Sequence, residues 1–362
     1  MDNIFIEKIN QEKNKLITYA QFIELALYHP LKGYYMRDRV KIGKDGDFIT
    51  TSNVSPIFGA VFSKWFLYQV MNNGIDPYVC ELGAGNGRFA KAFLDTWKNE
   101  TDIPLSYYIV ETSPYHKKLQ EEILPIGEGV YQVEHLSELK PFHGLVFSNE
   151  LFDAFPVHVI EKQNGQLFEV MIGWDGQQLI EKLEPLHNPN IFTFLETNQM
   201  SLLENQRIEI PLQMEVMLNE ISNTVEKGIV ATIDYGYTNE EWQLPEHRRG
   251  SLRGYYKHQM ISDVILHPGE MDITTHIHFD HLIKKGEELG LHFLKKQRQD
   301  EFLVSAGILK ELEDNYDPNP FSEKSKRNRA IRSLIMPGMS SYFHIVLQEK
   351  GTEVTDRNIF EK

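Results

Sequence analysis

The sequence predicts an α/β protein built on a parallel sheet. Three observations carry this. Short apolar runs alternate with amphipathic segments between residues 77 and 150. A glycine-rich loop, "GAGNG" (83–87), separates the first run from the first amphipathic segment. After residue 212 the alternation resumes, with "MEVMLNEISNTV" followed by "GIVATIDYG".

The elements follow in chain order. "TYAQFIELALY" (18–28) reads as a helix: Thr18 and Gln21 have capping-box spacing, Phe22, Leu25 and Ala26 share a face, and Pro30 ends it. Residues 33–62 form a Gly-rich loop entering a second helix, with Ser55 as its cap and Pro56 in its first turn. "PYVCEL" (77–82) is a buried strand and "RFAKAFLDTW" (88–97) the helix after the glycine loop. "LSYYIVE" (105–111), "SPYHKKLQEEIL" (113–124) and "GLVFSNE" (144–150) continue the strand–helix–strand pattern.

From 157 to 212 the period changes to two, with turn signals at Asn164-Gly165 and Asp175-Gly176, which reads as an insertion of β-hairpins. "FDHLIKKGEELG" is then a helix, "EFLVSAGI" (301–308) and "SYFHIVLQE" are late strands, and "EKSKRNRAIRSLI" between them is a basic helix. The expected organisation is an N-terminal helical extension with a covering loop (1–70), a first core half (71–156), the insertion (157–212) and a second core half (213–362).

With 362 residues the chain can bury a sizeable core. Its 37 basic and 52 acidic residues give a net charge of −15, which argues against a broad nucleic-acid footprint and leaves room for a cationic partner. No apolar run approaches the ~20 residues of a membrane helix. The N-terminus has neither signal- nor transit-peptide character, and Cys80 is the single cysteine, so a reducing, cytoplasmic setting is expected. Cys80 itself reads as a small core residue.

The loop Gly83-Ala84-Gly85-Asn86-Gly87 has G-x-G-x-G spacing rather than the G-x-G-x-x-G of a dinucleotide site. Glu81 stands just before it and would repel a phosphate. S-adenosylmethionine, with a sulfonium, an ammonium and no phosphate, suits such a loop. Glu111 ends the next strand, where an acid can accept hydrogen bonds from ribose hydroxyls.

"ELGAGNG" looks like motif I of class I methyltransferases. Together with "FIELALYHPLKGYY", "GDFITTSNVSPIFG", "SNELFDAFPVHVI", "IDYGY", "SLRGYYKH" and "PGEMDITTHIHF", in that order, the chain resembles the MidA-like methyltransferase family, whose mitochondrial members act in complex I assembly. The resemblance implies a class I methyltransferase Rossmann-like sheet, S-adenosyl-L-methionine as cofactor, and a protein substrate methylated on arginine. It carries over Gly83, Gly85, Gly87 and Glu111 as cofactor residues, with Thr50 and the stretch from Ser55 through Phe58 to Gly59 as a cover. The sequence departs from the family at 51–53, where "TSN" stands for Ala-Pro-Glu, and at His278, which stands for an acid.

"SNELFDAFP" (148–156) places Glu150 and Asp153 at a strand end. As a helix start, Ser148 or Asn149 would cap it and the two acids would gain from the helix dipole. As a catalytic segment, Asn149, Glu150 and Asp153 meet donor and acceptor. There carboxylates grip a guanidinium bidentately and accept its proton. Tyr34 and Tyr35 either wall a cation pocket or pack the core. "THIHFDH" (275–281) spells a two-metal hydrolase pattern, but only His292 and His344 follow it, so no metal site is expected. The expected activity is S-adenosylmethionine-dependent methylation of a protein side chain. Methylation of a small molecule or another residue, or a cofactor-binding assembly role, are the alternatives. The oligomeric state stays open, a homodimer included.

Overall fold

The computed structural model describes residues 3–38, 56–257, 259–312, 319–336 and 342–360. The chain divides into two compact units. One comprises Met1–Phe48, Phe152–Leu218 and Gly236–Lys285; the other comprises Ile49–Leu151, Asn219–Tyr235 and Gly286–Lys362.

The second unit holds seven strands of an eight-stranded sheet: β1 (Tyr78–Leu82), β2 (Ser106–Val110), β3 (Val130–Val133), β4 (Phe142–Asn149), β5 (Val225–Tyr237, its last two residues in the first unit), β6 (His292–Arg298) and β7 (Phe343–Lys350). Its order is β6-β7-β5-β4-β1-β2-β3. Strands β1 to β5 are mutually parallel, and β7 runs antiparallel between β5 and β6. The parallel strands read as near-continuous apolar runs because helices cover a sheet of this kind on its faces.

Three helices support the first strands: α1 (Ile57–Asn73), α2 (Arg88–Glu100) and α3 (Pro114–Ile123). The apolar faces of α1 and α2 and the sheet share one aromatic core, with Phe89 stacked on Phe147 at 4.2 Å and Phe62 on Phe302 at 4.8 Å. Gly59 lets α1 lie close against α2: a Cβ there would stand 2.8 Å from the Phe89 carbonyl oxygen and 2.9 Å from Ala92 Cβ.

Two elements differ from the sequence reading. "EFLVSAGI" is helical over Gln299–Ser305, not a strand. Phe302 and Leu303 turn inward while Val304 is 43% exposed, an inside-outside rhythm that a short apolar run does not reveal beforehand. Helix α1 starts at Ile57 with Pro56 as its N-cap and no side-chain cap. Ser55 and Thr50 lie outside the described residues.

In the first unit the N-terminal segment, the hairpin region and residues 236–285 build one core, from Phe5, Phe22 and Tyr34 through Val159 and Ile172 to Met271 and Ile273. The Thr18 capping box forms as its spacing predicts: Gln21 N–H donates to Thr18 Oγ1 at 3.1 Å and Thr18 N–H to Gln21 Oε1 at 2.9 Å. Strands His158–Gln163 and Gln166–Trp174 form a hairpin turned by Asn164 and Gly165, both at positive φ (51° and 76°), as the Asn-Gly signal predicts. The first of these also pairs with Arg207–Ile210, and the second with Ile17–Thr18 and Leu179–Pro185.

Candidate functional site

The carboxyl ends of β1, β2, β4 and β5 each bring an acid or amide to the same end of the parallel sheet. Glu81, the fourth residue of β1, is only 4% exposed, and the Tyr107 hydroxyl donates to its Oε2 at 2.7 Å. Burial pushes its carboxyl up to about 8; the tyrosine bond opposes this and the nearby Glu111 charge adds to it. A cation brought close would pull the proton off. Glu111, 7% exposed at the end of β2, accepts the Ser113 N–H at 2.8 Å, which fixes its direction at the start of α3.

Between these acids runs the glycine loop. Gly83, Gly85 and Gly87 have φ of 68°, 54° and 76°, the left-handed region that favours glycine. Gly83 N–H donates to the Val110 carbonyl at 3.0 Å, tying the loop to β2, and a Cβ on Gly83 would stand 2.9 Å from Leu151 Cδ1. Gln120 Nε2 on α3 donates to the Gly85 carbonyl at 2.8 Å, and Gln132 Nε2 donates to Gln120 Oε1 at 2.8 Å. Ala84 carbonyl accepts the Gly87 N–H at 3.0 Å, and Asn86 Oδ1 accepts the Arg88 N–H at 3.2 Å. The loop is therefore held from two strands and a helix.

"SNELFDAFP" does not begin a helix. Strand β4 continues through Asn149 in register with Ile233 of β5. Glu150 then takes φ = 51°, and its N–H donates to the Ile233 carbonyl at 2.9 Å. A short 3₁₀ turn, Phe152–Ala154, follows. The sheet ladder outcompetes local capping, so Glu150 and Asp153 do not share a helical face. A non-glycine residue in this conformation costs on the order of 1 kcal/mol and is held by its surroundings, a pattern frequent at functional positions. Asn149 Nδ2 donates to Glu150 Oε1 at 3.1 Å.

Sequence reasoning passed over Asp234. It lies fully buried near the end of β5, one residue beyond the carbonyl that binds Glu150 N–H, and its Oδ1 accepts the Tyr235 N–H at 2.9 Å. The signal was present: an acid closing the apolar run "GIVATID", the pattern that singles out Glu81 in "YVCEL".

Other expected residues have surroundings of their own. Phe58 and Gly59 pack against α2. Asp153 and Tyr34 belong to the first unit; Tyr34 sits in its apolar core, and the Asp153 carbonyl accepts the Thr275 N–H at 2.9 Å. Cys80 is buried, and that burial raises its thiol far from the reactive range.

The histidines of "THIHFDH" are held by different polar and ring partners, although His278 and His281 both touch the Phe194 ring, at 5.2 and 4.5 Å. His276 lies flat on Tyr237 at 4.3 Å, and His278 stacks on Trp242 at 4.5 Å while its Nε2 meets the Glu209 carbonyl at 2.8 Å. His281 bridges Asn198 and Glu215 at 2.8 and 2.9 Å. Among the described residues no group of three or more His, Cys, Asp or Glu side chains could hold a metal ion.

The acceptor-rich rim of this loop, with two buried carboxylates flanking bare main chain, fits a cationic ligand with ribose hydroxyls better than a pyrophosphate. A family model described as "Putative S-adenosyl-L-methionine-dependent methyltransferase" matches residues 61–297. The chain is similar to mitochondrial protein arginine methyltransferase NDUFAF7 of Mus musculus, 26% identical over 324 residues, covering 81% of this chain and 71% of that protein. The Danio rerio protein of the same name is 23% identical over 360 residues, with coverages of 89% and 80%. A crystal structure from Burkholderia thailandensis bound to S-adenosyl-homocysteine superposes with a TM-score of 0.89 at 25% identity, covering 98% of this chain and 92% of that one. A second structure from that organism, 24% identical with a TM-score of 0.86 and coverages of 99% and 94%, shows the same fold.

Proposed function

The chain belongs to the S-adenosyl-L-methionine-dependent methyltransferase family that its sequence matches, and from that premise we propose that it methylates a protein substrate on arginine. The class I sheet and the cofactor follow from the family and the fold. The finer reading draws support from the relatives named arginine methyltransferases and from one observation in this chain: Glu150, held at positive φ with its N–H on the carbonyl of Ile233, the residue before buried Asp234.

Bound S-adenosylmethionine supplies an electrophilic methyl group on a sulfonium. The chain's own residues do the rest. Gly83 to Gly87 present main chain to the cofactor, and Glu81 favours its positive charge. Glu111 accepts from ribose hydroxyls. A guanidinium is a weak nucleophile because its lone pairs are delocalised. Glu150, with Asp234 at the neighbouring strand end, draws the positive charge toward the nitrogens that do not react and orients the one that does. Transfer would exchange the sulfonium–methyl bond for an N–CH₃ bond, leaving a neutral thioether, and a carboxylate at this position would accept the proton the nitrogen sheds.

The test is incubation of the purified protein with methyl-labelled S-adenosylmethionine and extract of its own cells, followed by mass spectrometry of labelled material. Methylarginine in a protein is the expected product. Label confined to a small molecule or to another residue type would replace the arginine assignment, and Glu150→Gln should slow labelling about 100-fold.

A further inference from the structure

The first unit contains a cavity of about 470 Å³, within the range of small-ligand sites. Its wall includes Tyr19, Glu181, Arg207, Glu209, Arg249 and Asp263. The charges are not balanced. Arg207 is already committed: it donates to Glu161 Oε2 from Nε and Nη2 at 3.1 and 2.9 Å, and to both Glu181 oxygens at 2.8 Å. Tyr19 hydroxyl donates to Glu181 as well. Arg207, Glu161, Glu181 and Tyr19 thus form a fixed fork in which two carboxylates meet one guanidinium.

Two further acids face the same space. Glu209 is 1% exposed and is held by the Ser251 and Leu252 N–H groups and the Ser251 hydroxyl at 2.9 to 3.2 Å. Gly250 makes room for it: a Cβ there would stand 2.2 Å from Glu209 Oε1. Asp263 uses Oδ1 to accept the Ile265 N–H at 3.3 Å, which leaves Oδ2 without a partner among the described residues. Counting Glu161 of the fork, four carboxylates meet two guanidiniums. The second guanidinium, Arg249, has no hydrogen-bond or ion-pair partner among the described residues. Asp263 and Arg249 are both exposed, so the wall offers a solvent-facing carboxylate oxygen in a negative field and a set of solvent-facing N–H donors.

We propose that this cavity is a subsite for a basic side chain of a peptide, with Asp263 as its contact and Arg249 donating to main-chain carbonyls of the same peptide. The proposal rests on the reading that the methyl acceptor is a protein, and it adds a second point of recognition. An arginine or lysine suits the site because its alkyl stem matches the apolar wall at Val159, Leu179 and Val264 while its head meets the acids.

The probes are the Nα-acetyl amides of arginine, lysine and citrulline, titrated calorimetrically into the full chain. The arginine and lysine amides should bind and the citrulline amide, which is neutral, should not. Asp263→Asn keeps the Oδ1 acceptor for Ile265 and removes the charge. It should weaken arginine-amide binding about fivefold and raise KM for an arginine peptide while leaving S-adenosylmethionine affinity unchanged. Equal binding of arginine and citrulline amides, or unchanged binding in Asp263→Asn, overturns the subsite. Methyl transfer is scored separately. Asp263-dependent binding with no methylarginine formed would overturn the proposed function and keep the subsite.

Discussion

The Tyr107 hydroxyl and Glu81 Oε2 lie 2.7 Å apart in a buried pair beneath the glycine loop. Burial raises the Glu81 carboxyl to about 8, and the tyrosine bond is what holds it from rising further. Binding a cationic cofactor favours the ionised form, so S-adenosylmethionine affinity should increase as pH rises through about 8 and level off above it. Tyr107→Phe should move that midpoint upward and weaken binding near neutral pH. Glu81→Gln should flatten the profile. Calorimetric Kd measured from pH 6 to 9 checks all three.

The same group links pH to stability. Its folded value, about 8, exceeds its unfolded value of 4.5, so the folded state holds the proton longer. Its contribution is therefore present at low pH and lost as pH rises through this window. The apo protein should lose thermal stability between pH 5 and 9, and Glu81→Gln should lose less. A steeper loss in the variant than in the wild type would contradict the assignment.

Glu150 separates strain from chemistry. Glycine tolerates φ = 51°, so Glu150→Gly should be neutral to stabilising by up to about 1 kcal/mol in urea denaturation. Glu150→Gln keeps the backbone and removes the charge. It should lower kcat about 100-fold without changing cofactor affinity, the size expected for a lost proton acceptor. A Glu150→Gln enzyme with normal turnover would remove Glu150 from the reaction.

Gly59→Ala would place a methyl 2.8 Å from the Phe89 carbonyl oxygen, so α1 and α2 must part. The expected loss is about 1–3 kcal/mol of stability. A fall in cofactor affinity without loss of stability would instead support the covering role the family resemblance implies for this stretch.

His276 and His278 are held near 3 by burial, well below the usual 6.5 of histidine. For groups depressed in the folded state the unfolded chain takes up protons first, so stability should fall as pH drops from about 6.5 toward 3. His278→Phe retains a ring against Trp242 and should shallow that acid slope in a chemical-denaturation series.

The fold class was legible because its signals are short-range. The runs "PYVCEL", "LSYYIVE" and "GLVFSNE", the Asn164-Gly165 turn and the Thr18–Gln21 box each carry their meaning within a few residues. "EFLVSAGI" was misread because a brief apolar run fits a strand and a buried helix equally well. The helix-start reading of "SNELFDAFP" fails because capping chemistry is local, whereas the β4–β5 ladder that overrides it joins residues 149 and 233; the strand end expected at this point is where the structure has it.

By itself, then, the sequence determined the alternating architecture, the glycine loop with an acid before it, and acids at successive strand ends. Tertiary structure decided what those groups became. It set Glu150 in a left-handed turn and placed Asp234 at a neighbouring strand end. It buried Glu81 until its ionisation answers to a ligand, and it gave His276, His278 and His281 different stacking and hydrogen-bond partners instead of a common ligand. The physical reason is range. Periodicity and turn chemistry act over a few residues, but burial, register and the field around a charge depend on segments far apart in the chain.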